Sequence, residues 1–534
     1  MRSGRPGRTT IGLVLVVCLA VIAGAYFGSN SSSASSSQFV RHLRPPRFES
    51  APCPAKSPPV PALANARCGY LVVPENRTKA NGKTIRLAVA IISATSPTPA
   101  PDPIVFLAGG PGTDALGFIP VLTDAGVNRD RELIVLAQRG TIDDGPALMC
   151  PEIPQFYTTR LGLVYGAPST GKLYVQATTS CRRRLANAGI DLGAYNNTES
   201  ATDVADLRTA LRIPQWNVFG HSNGTEVSLV YMRDHPAGIR SVALEGVVPP
   251  SVTTPGYNWV GVKESLDNMV AACIAQPACQ TRYPNLRATF TGLVNRLEAH
   301  PITTTVTPPG ASAALKVVVD GGVLVNWEVL ETHFPAEFPL AVDQLAHGNP
   351  QLVATRWATG RANPAEDTLA YGMNFSVTCS DEEPFESAAQ ALRAGQHAFP
   401  AFPRSVQGQA PNNVAFTRQA CNAWNVPKSP DSGRAVTRST IPTLLENGSF
   451  DGQTAASGAR YAARTLPNSI VTIFSGQAHG AFATLPCAAS VIVSFFDNPK
   501  APNTSCVASV QPVPFDTTSS PPPPAESGSA APSD

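Results

Sequence analysis

Short apolar runs at Ile104–Leu107, Leu133–Leu136, 216–219 and 242–244 stand out from the rest of the chain. Apart from Asn217, no polar residue interrupts them, as expected of strands buried on both faces of a parallel sheet. Between the second and third runs the period changes. Over 200–211, Val204, Leu207 and Leu211 recur at helical spacing, and Ser200-x-x-Asp203 predicts a capped first turn. Another helical run, with Val227, Leu229, Val230 and Tyr231, follows the third strand. Upstream, 70–73 and the β-rich stretch 84–94 predict a hairpin at a sheet edge. The alternation returns after residue 440, with strands at 441–445 and 470–474 and helices at 457–464 and 488–496. This order predicts an α/β fold: a mostly parallel central sheet with helices on both faces.

From 251 to 430 the alternation is lost among helical runs, a β-rich patch (Leu315–Val319) and Pro-rich loops. One large insertion above the strand ends, a cap domain, accounts for it. The ends are different again. Arg2, Arg5 and Arg8 precede an apolar run from 11 to 27 that closes on Ala23-Gly24-Ala25, the make-up of a secretory signal or an uncleaved anchor. The predicted organisation is therefore a signal or anchor over 1–25 and a Ser/Pro-rich linker over 26–50. The first part of the core spans 51–250, the cap 251–430 and the rest of the core 431–511. A Pro/Ser-rich tail expected to be disordered covers 512–534.

Composition narrows the class. The 534 residues are 43% hydrophobic and 15% charged, enough to bury a large core. Without the first 25 residues the count is 37 basic to 38 acidic side chains, a balance that offers nothing to a nucleic acid. Of eleven cysteines, Cys18 lies in the signal and ten remain. They fall in local couples: Cys53 with Cys68, Cys150 with Cys181, Cys273 with Cys279, Cys379 with Cys421, and Cys487 with Cys506. None has the spacing of a zinc site, so no metal or cofactor is expected; disulfides in a secreted or envelope protein are.

The chemistry sits at the third apolar run. Gly220-His221-Ser222-Asn223-Gly224 lies between strand and helix, the strand–turn–helix context of a nucleophile elbow, with Ser222 the nucleophile. A serine needs a base, and the base an orienting carboxylate. Reading onward, the last two strands lead to Asp451 and to His479, in the order Ser, Asp, His. Glu446, at the strand end, competes with Asp451 but comes early for the loop position. Ala108-Gly109-Gly110-Pro111-Gly112, after the first apolar run, predicts an oxyanion hole from the Asn223 N–H and one of Gly109 or Gly110.

These motifs resemble the α/β-hydrolases of the proline iminopeptidase and tripeptidyl aminopeptidase group, in particular its secreted actinobacterial-type branch. The resemblance spans 53–506 and adds Gln138-Arg139-Gly140-Thr141, Asp203 with Arg208, Asn447-Gly448-x-x-Asp451-x-x-Thr454 and His479-Gly480. Asn223 stands where the family usually has Tyr, and Ala137 where it has Asp. The resemblance implies an exported serine hydrolase acting on the N-terminal end of peptides. A carboxylic ester is the alternative substrate, and a non-catalytic envelope binding protein the alternative class. An aminopeptidase must pair the substrate's ammonium group, and the acidic run Asp381, Glu382, Glu383 and Glu386 after Cys379 is the candidate substrate-binding group.

Overall fold

The computed structural model describes residues 45–517, apart from 80–81, 332–333, 365–366, 410 and 412–413. The expected signal or anchor, and the linker up to residue 44, lie outside the described residues. Eleven strands occur in chain order: β1 Arg47–Ser50, β2 Arg67–Pro74, β3 Thr84–Ile92, β4 Ile104–Leu107, β5 Leu133–Leu136, β6 Trp216–His221, β7 Ile239–Glu245, β8 Ile302–Val306, β9 Leu315–Val319, β10 Thr443–Gly448 and β11 Ser469–Phe474. Nine form one sheet in the order β1-β2-β3-β5-β4-β6-β7-β10-β11. The pairs β1–β2, β2–β3 and β3–β5 are antiparallel; from β5 to β11 every pair is parallel. With helices on both faces, this is the α/β-hydrolase fold.

The pleat sorts the strand side chains into two cores. On β3 and β4, Ile85, Leu87, Val89, Val105 and Leu107 face the helices Asn197–Ala210 and Asn223–Asp234. Their neighbours Ala88, Ala90, Ile104 and Phe106 face the closing helix Pro486–Asp497, which supplies Val491, Ile492 and Phe495. Burial on both sides is why these strands read as unbroken apolar runs.

Several boundaries differ from the expectation. Residues 47–50, assigned to the linker, pair with β2 as the sheet's edge strand. Four residues with alternating polarity give too little pattern for a strand to be read from them. The helix expected from Ser200 begins at Asn197, because the Asn196 side chain accepts from the Glu199 N–H and caps it first. The tail expected from 512 is fixed up to 517: Phe515 is buried and packs on Phe450, the Val513 carbonyl accepts from Gln276, and the Asp516 carbonyl from Tyr283.

The cap is larger than the insertion after β7. Helices Asn258–Ala275, Leu286–Ala299, Phe338–Ala346 and Gln351–Ala358, with the hairpin β8–β9, enclose a core that includes Trp259, Phe290, Trp327 and Trp357. Leu161 and Tyr165, from the segment between β5 and β6, complete that core. The same segment contributes helices Glu152–Arg160 and Pro168–Asn187, which pack with Tyr371–Val377. All five local cysteine couples are bonded, and Cys150–Cys181 and Cys379–Cys421 lie within this second cap lobe.

The Gln138-Arg139-Gly140 motif has a structural reading. Gln138 Nε2 donates to the Ala108 carbonyl at 2.6 Å, tying down the glycine loop after β4. Arg139, fully buried, forms a two-bond fork with Asp203, each at 2.7 Å, and donates to the carbonyls of Glu75 and Ala194. Arg77 reaches Asp203, Asp206 and Glu199 from the outside. Removing one partner of such a pair leaves a buried charge uncompensated, which costs about 3–5 kcal/mol. Arg139→Met is expected to lose stability on that scale, read as a lower urea midpoint with all five disulfides intact.

Candidate active site

Ser222 sits between β6 and helix Asn223–Asp234 with φ 55° and ψ −126°. Such a backbone is costly for a residue with a Cβ and persists only where its surroundings enforce it. They do so here. Ser222 N donates to the Glu245 carbonyl on β7, and Thr225 Oγ1 donates back to the Ser222 carbonyl. A Cβ at Gly220 would lie 2.6 Å from the Gly224 carbonyl, and one at Gly224 would collide with the Leu107 carbonyl of β4. The turn closes only with glycine at both places.

The glycine loop lies against this turn. A Cβ at Gly109 would come within 2.6 Å of Ser222 Cβ, so Gly109 backs directly onto the serine. Gly110 and Asn223 line the same cavity as Ser222, a space of about 460 Å³ between sheet and cap. Asn223 opens the helix, where N–H groups lack carbonyl partners within the helix itself. The Gln138 contact to Ala108 and an Asn374 contact to the Pro111 carbonyl hold the loop on either side.

Asp451 and His479 meet. His479 Nδ1 is 2.8 Å from Asp451 Oδ2. Asp451 also accepts from the backbone N–H groups of Gln453 and Thr454 and from Thr454 Oγ1. Burial opposes the Asp451 charge, but the charge and hydrogen bond of His479 and the Thr454 donors outweigh it and hold this carboxyl below its usual range. For His479, burial opposes the imidazolium while Asp451 favours it more strongly, so its pKa is raised. The imidazole lies over Gly246, where a Cβ would stand 2.8 Å from Cε1. Gly246 follows the residue whose carbonyl takes the Ser222 N–H, so base and serine converge on the end of β7. Glu446 does not reach His479: it is buried on β10 and accepts from Thr472.

Of the four acids proposed for substrate, only Glu382 lines the cavity. Asp381 is turned inward, accepting from the Asn197 N–H and from Ser380 and Ser429. Glu383 is paired with Arg418, and Glu386 accepts from Gly256 N and Thr254. The irregular turn over 378–385 rotates successive acids to different sides, which the run of acids in the sequence does not reveal. Glu226 is the acid that sequence reasoning missed. It stands one turn after Ser222 on the elbow helix and lines the cavity together with Glu382. Its spacing of four from Ser222 is the available signal, on a helix read from its apolar positions alone. Burial first, then the charges of Glu382 and Asp381, push the Glu226 carboxyl well above its usual range. Burial and Asp381, against Arg434, bring Glu382 to about 7.

A further buried pair was not anticipated. His221 Nδ1 lies 2.7 Å from Glu245 Oε2, and Glu245 Oε1 accepts from the Ala481 N–H. Glu245 thereby braces the loop that carries His479, and the two imidazoles face each other with centroids 4.9 Å apart.

Known proteins show similarity to this chain at several levels. Residues 409–507 match the family model described as TAP-like protein. The serine protease Hip1 of Mycobacterium tuberculosis is 22% identical over 503 residues, covering 88% of this chain and 90% of the relative. The tripeptidyl aminopeptidase of Streptomyces lividans is 28% identical over 196 residues, 35% of this chain and 36% of that one. Among solved structures, an α/β hydrolase fold protein from Chitinophaga pinensis aligns with a TM-score of 0.34 and 16% identity, covering 82% of this chain and 98% of the other. The resemblance carried by a handful of short motifs thus extends, at low identity, over most of the chain.

Proposed function

We propose that this protein is an exported serine peptidase that cleaves near the free N-terminus of a peptide. Ser222 Oγ attacks the scissile carbonyl while His479 takes its proton, and Asp451 holds the imidazole by its Nδ1–H. The oxyanion is met by the N–H groups of Asn223 and Gly110. His479 then protonates the leaving amine, and water, deprotonated by the same imidazole, releases the acyl group from Ser222. The five disulfides support an oxidising, extracytoplasmic setting.

One observation favours a peptide over a simple ester: Glu226 and Glu382 border the same cavity as Ser222. Two carboxyls in one buried site resist simultaneous ionisation. A substrate ammonium placed between them relieves that repulsion and makes charge-assisted hydrogen bonds. A neutral ester has nothing to offer them.

Three outcomes test this reading. Ser222→Ala is expected to cut hydrolysis of a peptide anilide by several orders of magnitude while leaving the fold intact, with Asp451→Asn losing about 10⁴-fold in kcat; substantial activity in Ser222→Ala removes the elbow assignment. An anilide with a free N-terminus should outpace its acetylated form, and Glu226→Gln should lower kcat/KM for the free amine roughly 10- to 100-fold, the weight of one charged hydrogen bond. Equal rates on both forms, with faster turnover of plain esters, would leave an esterase. The pH profile adds a sign. A carboxyl raised to about 7 is protonated below that value, so KM for the free-amine substrate should rise as pH falls through 7. KM for the acetylated substrate should stay level.

A further inference from the structure

The wall of the cavity built from the cap carries two guanidinium groups that, among the described residues, have no counter-charge. Arg160 ends the helix Glu152–Arg160, and Arg361 follows the helix Gln351–Ala358; both line the cavity that holds Ser222. Among the described residues neither lies within 4.0 Å of a carboxylate, whereas Arg356, at the edge of the adjoining cavity, is paired with Glu337. Arg361 spends one N–H on the Trp357 carbonyl at 2.7 Å. Arg160 is held instead by rings, its guanidinium carbon 4.9 Å from the centroids of Tyr157 and Tyr165 and 5.6 Å from that of Trp357. Arg361 stacks on the same indole at 4.1 Å.

Two described acids of the surrounding wall are occupied elsewhere. Asp320 accepts from the backbone of Tyr165 and Val323, and Asp367 from Tyr371 and the Leu369 N–H. Burial and the neighbouring Arg160 charge pull Arg361 down to about 10, as expected of a cation whose closest charged neighbour has its own sign. Aromatic faces compensate a guanidinium only partly and leave its in-plane N–H donors unspent. Those donors are the fork that matches a carboxylate. A second space of about 340 Å³ shares Tyr157, Arg361 and Tyr371 with the first, so Arg361 stands where the two cavities join.

We propose that Arg160 and Arg361 form a carboxylate-binding subsite, so that the preferred substrates are short peptides bearing a free carboxylate on the segment that reaches the cap. This rests on the peptidase reading above. The carboxylate has two possible sources, the peptide's C-terminus or an acidic side chain, and both present the same chemistry to the fork.

The experiment measures kcat and KM by mass spectrometry for two sets of tetrapeptides. One set compares tetra-alanine with its C-terminal amide; the other compares peptide amides with Glu or Gln at each position beyond the first. A free carboxylate in one of the sets should lower KM roughly 10- to 100-fold relative to its neutral partner. That ratio should collapse toward one in Arg160→Gln and Arg361→Gln and survive in part in the Lys variants, which keep the charge but lose the fork. A ratio near one in both sets for the unmodified protein overturns the subsite even if the variants fail to fold. So does a ratio that persists in the double Gln variant. Fluorophosphonate labelling of Ser222 in the same samples keeps the two readings apart: labelling with no carboxylate preference removes the subsite alone, and loss of labelling in the unmodified protein removes the peptidase.

Discussion

A single backbone strain organises the catalytic half of this molecule. Ser222 is held at positive φ, in a region that a side-chain-bearing residue occupies at a cost of about 1–3 kcal/mol. The strain is tolerated because the turn is clamped from every side. β7 takes its N–H, Thr225 returns a hydrogen bond, and β4 lies so close that Gly224 has no room for a Cβ. The same closeness brings the glycine loop after β4 against the serine. The proposed oxyanion donors and the proposed nucleophile are therefore parts of one packed unit, and loosening either loosens both.

Buried charges fasten that unit to its surroundings. The Arg139–Asp203 fork joins the loop after β5 to the helix preceding the elbow strand, and Gln138 beside it secures the loop after β4. On the other side, Glu245 links His221 to the backbone that follows His479. These contacts explain why motifs without catalytic atoms belong to the same pattern as the triad. They set positions, and in a low-dielectric interior a hydrogen-bonded pair sets them tightly.

The parts of this design written as local pattern were legible. Strands buried on both faces betray themselves as apolar runs, the elbow by its small residues, and Asp451 and His479 by their place after successive strands. The cysteine couples were close enough in sequence to pair as read. What escaped depended on tertiary placement. β1 is too short to show a period, and Phe515 is one aromatic residue in a polar stretch whose burial is decided by Phe450. The second cap lobe lies between two core strands, where an insertion and a long connection look alike. Of the acidic run only Glu382 reaches the cavity, because side-chain direction through an irregular turn cannot be read from composition. Glu226 was hidden inside an element already explained.

The polarity of the cavity follows from burying charge without neutralising it. Near the nucleophile, two carboxyls crowd each other and are driven toward sharing protons. Toward the cap, two guanidiniums are supported by aromatic faces, and among the described residues neither is paired with a carboxylate. Had these groups served stability alone, pairing the acids with the arginines across the cavity would have been the cheaper arrangement, since a paired buried charge costs less than an unpaired one. Among the described residues these acids and arginines form no ion pair with one another, and all four line the cavity that holds Ser222. The proposed substrate, a peptide with an ammonium group at one end and a carboxylate at the other, would offer a partner to each kind of group. On this proposal, selectivity arises from the wall's own charges: a neutral guest leaves each of them as costly as it was, and a charged one of the wrong sense adds to that cost.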